Sequence, residues 1–512
     1  MFDRREDDDV EAPLEDLLAP LAEHRDPLYA DDDADDGLGP AYDRHDDADD
    51  AGEAPPLGEE EAESLLTRYL HLERELTARW PESRIEPTLE RVRAVTDLLG
   101  EPQAAMPVIH LAGTNGKTSA ARMVESLLRS FGLRTGLFTS PHLHSVRERI
   151  RIDGEAVDIE RFVRVHDDVR PYVDLVDARS TAEGGPALSF FEVMTVLAYA
   201  TFADAPVDVA VVETGMGGTW DATNVADGTV AVITPVSYDH MDYLGSDLAA
   251  IAGEKAGIIK PGAMVVLSAQ EPEAAEVLLR RALEQGATVA REGVEFGVVD
   301  RTPAVGGQLL SLQGPAGRYD EVFLPLFGAH QAANAAAAIA AVEAFLGGGG
   351  EPLNADLVRA GFAAVESPGR LEVVRRSPTV VVDAAHNPHG AAALAAAVSD
   401  SFDFTELVGV VAVLADKDAR GLLEALEPVL AHVVVSRSSS PRALGVADLE
   451  ALATEVFGAD RVSSAPRLSD AIERAVALAD AAAADLGGTG VLVTGSVVTA
   501  AEARALLGRA EA

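Results

Sequence analysis

The sequence predicts an α/β protein: a P-loop-type ATPase domain on a mainly parallel sheet, followed by a smaller, Rossmann-like C-terminal α/β domain. Three observations lead there. Short apolar runs alternate with helical periodicity along most of the chain. The first such run opens onto a glycine-bearing turn that ends in lysine. A second alternating set follows a break near residues 365–368, which argues for two α/β domains rather than one.

The elements follow in order. Residues 1–60 hold 23 Asp and Glu against 4 Arg, and runs such as 31–36 and 43–50 cannot bury a core, so this acidic arm is expected to be disordered. Residues 59–98 read as helix, with Leu65, Leu66, Tyr69 and Leu70 at helical spacing. Strand is expected at 107–112, helix at 117–131 and strand at 134–139. A hairpin is expected over 147–157, turning at Asp153-Gly154. Helix 190–202 precedes two near-continuous apolar strands, 207–213 and 229–235, of the kind buried on both faces of a parallel sheet. Helix 247–259 and strand 263–268 complete this set.

Residues 294–326 change character to short strands with polar turns, an antiparallel appendage. The Ala-rich stretch 331–346 is interrupted by Asn334 and Glu343, which makes it a packed helix (329–346) rather than a membrane span. After the glycine break at 347–350, strands are expected near 371–374, 380–383, 407–414, 433–435 and 491–494. Helices are expected near 389–398, 419–430 and 468–484. The domains are therefore read as arm 1–60, ATP-binding domain 61–366 and C-terminal domain 367–512.

Composition narrows the function. A net charge of −44 opposes sequence-independent nucleic-acid binding, which needs basic patches. No cysteine is present, which removes thiol nucleophiles and zinc-thiolate sites. The first residues lack the basic start and apolar core of a secretory signal, so a cytoplasmic location is expected. Of 41 basic residues only Lys117, Lys255, Lys260 and Lys417 are lysines. Arginine serves nearly everywhere a generic cation suffices, so a surviving lysine marks a possible need for a primary amine.

Gly113-Thr114-Asn115-Gly116-Lys117-Thr118-Ser119 follows a strand and opens a helix. Backbone N–H groups there cradle phosphate, Lys117 reaches it as a point charge, and a hydroxyl can approach magnesium. Leu111 stands where the standard P-loop has glycine, so this is a tighter form. The turn alone fits a motor, a kinase or a ligase. Glu213 closes a buried strand and leads into a glycine-rich turn, and Asp239-His240 follows another strand. Both carboxylate and imidazole then sit where doubly wound sheets bind ligands, and both can approach magnesium, though imidazole is an unusual partner for so hard an ion.

Eight segments together carry a resemblance. They are Gly113-Thr-Asn-Gly-Lys117, Phe138-Thr-Ser140-Pro-His142-Leu, Glu213-Thr-Gly-Met-Gly-Gly, Asp221-Ala-Thr-Asn224, Asp239-His240, Glu254-Lys255-Ala-Gly, Pro368-Gly-Arg370-Leu-Glu and Asp383-Ala-Ala-His386-Asn-Pro-His389. In order and over roughly residues 62–512, the chain resembles the folylpolyglutamate synthase/dihydrofolate synthase family within the Mur ligase superfamily. The resemblance implies an ATP- and Mg2+-dependent ligase joining L-glutamate to a folate or to dihydropteroate through an acyl phosphate. It implies magnesium ligands at Ser140, Glu213 and His240. A CO2-derived carbamate on Lys255 would help to hold a second magnesium, and arginine cannot form one.

ATP contacts are implied at 113–119 and at Asn334, Arg370 and Asp383. His386 lies near the same cleft and is a candidate base for the glutamate amine. The pterin end of the folate is expected at Ser189, Phe190, Phe191 and Glu192 and at Asp221 and Ala222. The partners are small molecules, with neither nucleic acid nor membrane, and a monomer is the family default. Two departures stand out: Gly116-Lys117-Thr118-Ser119 is closer to the Mur enzymes, and Thr219 replaces a common arginine after the paired glycines. Two other readings compete, a Mur-type ligase acting on a cell-wall precursor and a non-enzymatic ATP-binding switch. The Ser140-Pro-His and 368–372 segments favour folate over the first. The set Glu213, His240 and Lys255 disfavours the second.

Overall fold

Strands β1 (Val108–Ala112), β2 (Thr135–Phe138), β3 (Ile150–Ile152), β4 (Glu155–Ala156), β5 (Val209–Glu213), β6 (Val230–Ile233), β7 (Met264–Leu267) and β8 (Thr288–Arg291) form one sheet. Its order is β4-β3-β2-β5-β1-β6-β7-β8, with β3 and β4 antiparallel and the rest parallel. The computed structural model describes residues 58–81, 86–482 and 488–509. All but the last three residues of the acidic arm expected over 1–60 lie outside them.

β1, β5 and β6 are buried along their whole length and apolar throughout, save His110 in β1 and Glu213 at the end of β5. One face carries helices Lys117–Ser130 and Ala329–Gly347. The other carries Glu59–Ala78, Glu90–Leu98, Ile159–Ala182 and Phe190–Asp204. The Ala-rich helix Ala329–Gly347 is buried on nearly all sides, as expected, because small side chains let it pack closely on Lys117–Ser130. Its outer face is covered by an antiparallel sheet of β9 (Gly297–Ala304), β10 (Gly307–Gln313) and β11 (Arg318–Leu324).

The second α/β set is a six-stranded sheet of β12 (Glu372–Arg376), β13 (Thr379–Val382), β14 (Phe404–Val411), β15 (His432–Val435), β16 (Val462–Ser464) and β17 (Gly488–Thr494). The order is β12-β13-β17-β14-β15-β16, parallel except for β12 at the edge. Both sheets belong to one unit, Glu59–Ala512.

Three expectations need correction. The helix expected over 59–98 is two helices, Glu59–Ala78 and Glu90–Leu98, because Pro81 and Pro87 lack the N–H that a continuing helix needs. Its buried face is Tyr69, Leu72 and Leu76, whereas Leu66 and Leu70 are exposed. The helix expected to reach 259 ends at Lys255 and continues only as a short 3-10 turn, Ala256–Ile258. Helices Ile159–Ala182, Pro272–Glu284, Ala355–Ala363, Val446–Phe457 and Val497–Leu506 were not anticipated. Among the described residues, no helix is long and apolar enough to cross a membrane.

Candidate active site

The registers of β1 set the site. Leu111 pairs with Glu213 of β5, and Ala112 pairs with Ile233 of β6, so the phosphate loop and both ligand-bearing strand ends share one edge of the sheet. Just beyond β1, Gly113 has φ 148°, and a Cβ there would lie 1.9 Å from Thr234 Oγ1. Gly116 has φ 88°, and its Cβ would meet Asn334 Oδ1 at 2.6 Å. Only glycine fits either place.

Gly116 caps helix Lys117–Ser130, whose free N–H groups point into the loop. Lys117 Nζ donates to the carbonyls of Gly113 at 3.1 Å and Thr114 at 3.4 Å, which curls the amine back over the turn. Thr114 is locked to the strand end after β6: its Oγ1 donates to Ser237 O and accepts from Ser237 N, each at 3.0 Å. Ser119 points the other way, its buried hydroxyl meeting Gln331 Nε2 at 3.2 Å and Ser367 Oγ at 3.4 Å.

Glu213 is buried, accepting Thr118 Oγ1 at 3.0 Å on each oxygen and the Ser140 N–H at 3.3 Å. Burial pushes its carboxyl up, with the Lys117 ammonium pulling it back. A divalent cation would relieve the same desolvation penalty, so this carboxylate fits a magnesium ligand. His240 sits in the left-handed region at φ 52°, and burial pushes its imidazole down to about 4. At neutral pH it is therefore an uncharged ring with a lone pair to offer. Among the described residues no group of three or more His, Asp or Glu side chains converges as a ready-made cage. Magnesium retains waters and substrate oxygens and does not need one.

Lys255 is buried, and its Nζ donates to Gly113 O at 2.8 Å. Burial, then the neighbouring Lys117, pushes the amine down to about 7. The other half of the chain meets these groups directly. Asp239 Oδ1 lies 2.7 Å from Lys417 Nζ, both side chains about 10% exposed, and Asp239 Oδ2 accepts from Asn387 Nδ2 at 3.3 Å. Burial would raise Asp239, but His386, His240 and Lys417 together hold it well below the usual carboxylate range. Asn115 of the phosphate loop accepts from Asn387 Nδ2 at 3.2 Å and bonds His389 Nδ1 at 3.0 Å.

His386 Nδ1 lies 3.0 Å from Ala384 O, a bond only an N–H can make, which turns Nε2 toward Asp239 Oδ2 at 3.7 Å. Asp383 accepts from Leu371 N and Ala385 N at 2.8 Å each. Burial raises its carboxyl, and the Arg370 guanidinium opposes the rise.

All but one of the sequence-predicted site residues line one cleft of about 800 Å³. The exception is Phe190, which is buried under the Arg149 guanidinium (4.9 Å to the ring) and against His142. Several of the others have local partners. Ser189 and Glu192 form a reciprocal cap at the start of helix Phe190–Asp204, and Glu192 is also ion-paired with buried Arg91 at 3.0 Å. Asp221 accepts from Met216 N at 2.8 Å and Thr223 N at 3.0 Å, organising its own loop. Phe191 presses on Gly215, where a Cβ would lie 2.6 Å from the ring.

Sequence reasoning gave no role in the site to Trp80, Trp220, Arg91, Asn387 and Lys417, all of which line this cleft. The scarcity of tryptophan, two in 512 residues, was the signal for the first pair. Thr219, the departure from the family pattern, donates through N (2.8 Å) and Oγ1 (3.1 Å) to Glu254 O, and Gly257 alone leaves room for it.

The Mur ligase middle domain matches residues 185–342, and the Mur ligase, glutamate ligase domain matches residues 369–497. The dihydrofolate synthase/folylpolyglutamate synthase of Mycobacterium tuberculosis is 55% identical over 461 residues, covering 87% of this chain and 95% of that one. This chain belongs to the dihydrofolate synthase/folylpolyglutamate synthase family. A solved Mycobacterium tuberculosis folylpolyglutamate synthase complexed with ADP superposes with a TM-score of 0.84 at 54% identity, covering 88% of this chain and all of that one. The E. coli FolC structure in complex with DHPP and ADP gives a TM-score of 0.72 at 31% identity, covering 86% and 97%. The family's fold, an α/β ATP-binding part followed by an α/β C-terminal part, is the fold described above.

Proposed function

We infer that this chain joins L-glutamate to the carboxylate of a folate, or of dihydropteroate, at the expense of ATP. The γ-phosphoryl passes to the substrate carboxylate, giving an acyl phosphate and ADP. The glutamate amine then attacks the acyl carbon, and the tetrahedral intermediate expels phosphate. The observation that carries the reading is the meeting, at one sheet edge, of Lys117 and Thr118 with Glu213, faced by Arg370, His386 and Lys417 from the second α/β set. Such chemistry needs positioning and charge neutralisation more than a protein nucleophile.

In this reading residues 113–119 with Asn334, Arg370 and Asp383 hold ATP. Ser140, Glu213 and His240 would hold magnesium, which would offset charge on the phosphates. CO2 would add to the neutral Lys255 amine, forming an N–C bond and releasing a proton, and the carbamate would supply an anion for a second magnesium. The depressed amine and its burial support that step. Phe191, Asp221 and Ala222 receive the pterin, with Trp80 and Trp220 offering further aromatic surface in the same cleft. His386 Nε2 is the candidate to take a proton from the glutamate ammonium. Residues 61–366 act as the ATP-binding part and 367–512 as the amino-acid-joining part. We place the enzyme in the cytoplasm, where ATP and glutamate are abundant, as a monomer.

Glutamate-dependent ADP release tests the proposal. Release is expected with dihydropteroate, with tetrahydrofolate, or with both, and the pattern identifies the acceptor. Silence with both would remove the folate assignment, and release with a cell-wall precursor instead would replace it.

A further inference from the structure

Arg504 lies on the last helix, Val497–Leu506, is 5% exposed, and belongs to no motif singled out in the sequence. Its guanidinium makes two different contacts. Nε donates to Glu372 Oε2 at 2.8 Å, and Nη1 donates to His144 Nε2 at 3.0 Å. Guanidinium has no acceptor, so His144 must accept through an unprotonated Nε2. The same Glu372 oxygen accepts the N–H of Gly369 at 2.8 Å, and Gly369 is held at φ 70° directly before Arg370. His144 belongs to the loop that begins at Ser140. Glu148 fixes that loop by accepting the N–H groups of residues 143, 144 and 145 at 2.8 Å each.

One buried cation therefore ties the segment before Arg370 in the second α/β set to the loop after Ser140 in the first. Arg370 and Ser140 both line the nucleotide cleft, whereas Arg504 does not.

We infer that Arg504 is a positioning residue that sets Arg370 relative to Ser140 by bridging Glu372 and His144, and so aligns the two halves of the phosphoryl-transfer site. The inference deepens the ligase reading and rests on it. A guanidinium can serve both acceptors at once because its donors diverge in a fixed plane, whereas an ammonium on a flexible stem cannot hold both in register. Arg504→Lys keeps the charge and most of the buried stem and removes only the bridge.

The test is Arg504→Lys beside His144→Ala, which removes the acceptor from a half-buried loop and leaves the last helix intact. Each variant is expected to keep the wild-type melting temperature within a few degrees and to bind ADP with unchanged affinity. Each should lose about tenfold or more in kcat for glutamate-dependent ADP release with KM for ATP little changed, and the double variant should be no worse than either single one. Amide exchange in residues 367–372 should quicken in Arg504→Lys without change in the central strands. Wild-type kcat in both variants, fully additive losses, or unchanged exchange would each overturn the inference. If the wild-type protein shows no glutamate-dependent release at all, it is the ligase reading that falls, and the exchange measurement still decides the bridge.

Discussion

At the scale of single residues, burial makes charge expensive and sets which groups of this chain stay neutral. Lys255 is pushed down to about 7, so a large neutral fraction of its amine exists at neutral pH. Arginine can keep the bond to Gly113 O but cannot add CO2. Lys255→Arg is therefore expected to fold and to bind ADP while losing at least about a hundredfold in turnover. Labelled CO2 should give a carbamate carbon signal in the wild-type protein and none in the variant, and substantial turnover in Lys255→Arg would end the carbamate proposal. His110, at the centre of β1, makes a second case. It is fully buried, bonds Thr223 Oγ1 through Nε2 at 2.8 Å, and its Nδ1 has no partner. Burial pushes its imidazole down to about 3. Below the unfolded value of about 6.5 the unfolded chain takes up a proton that the folded chain refuses, so stability is full above that pH and falls as pH drops. The buried carboxyls of Glu213, Asp221 and Asp383 shift upward and act in the opposite sense, so the comparison has to be made against a variant. Between about pH 7.5 and about pH 5, the wild-type chain should lose about 2 kcal/mol more than His110→Gln in urea unfolding. Equal slopes would mean that His110 takes up its proton as readily in the folded chain as in the unfolded one.

At the scale of elements, one buried carboxylate joins the antiparallel sheet to the Ala-rich helix. Glu343 has no exposed surface and accepts Tyr319 Oη at 2.5 Å, Ala316 N at 2.7 Å and Gly317 N at 3.1 Å, which fixes the turn between β10 and β11. Glu343→Ala leaves those donors without a partner in the core and is expected to cost about 3 kcal/mol. Calorimetry would read this as a lower melting temperature, and an unchanged one would show that the turn finds other acceptors. In the sequence Glu343 was legible only as an interruption of an apolar stretch. Its partners lie on a strand and turn more than twenty residues earlier. Strands were legible for a plain reason: those buried on both faces are runs of Val, Ile and Ala, as β6 shows throughout and β5 up to its terminal Glu213. Helices failed where surface charge diluted the pattern. Ile159–Ala182 contains Pro171 and a dense run of Asp and Arg, and only seven of its residues are buried. The reverse error, one helix drawn through Pro81 and Pro87, came from following apolar spacing past two residues that the backbone cannot accommodate.

At the scale of the whole molecule, the site exists only because two sheets face each other, and this is where sequence reading stops. Gly113 to Thr118 and Glu213 could be read because a strand end and its turn are local. That Asp239 meets Lys417, 178 residues away, and Asn387, 148 residues away, could not be. The rarity of lysine pointed at Lys117 and Lys255 through their motifs and left Lys417 without a role, although the same argument applied to it. Lys417 and Asp239 form a bridge between the two α/β sets with both side chains about 10% exposed. A pair that dry depends on its partner, because removing one charge leaves the other desolvated and uncompensated. It also lines the cleft, where an ammonium and a carboxylate of the incoming amino acid would find opposite charges. Lys417→Met is therefore expected to leave ADP bound at residues 113–119, to which Lys417 makes no bond, but to lower glutamate-dependent turnover by about a hundredfold. Loss of the bridge should also let the two sets separate, so that small-angle scattering of the variant with ADP gives a larger radius of gyration than the wild-type complex. Asp239→Asn should reproduce the scattering change, because either half of the pair is enough to break it. Wild-type turnover in Lys417→Met with an unchanged radius would show that the bridge neither closes the molecule nor serves the reaction.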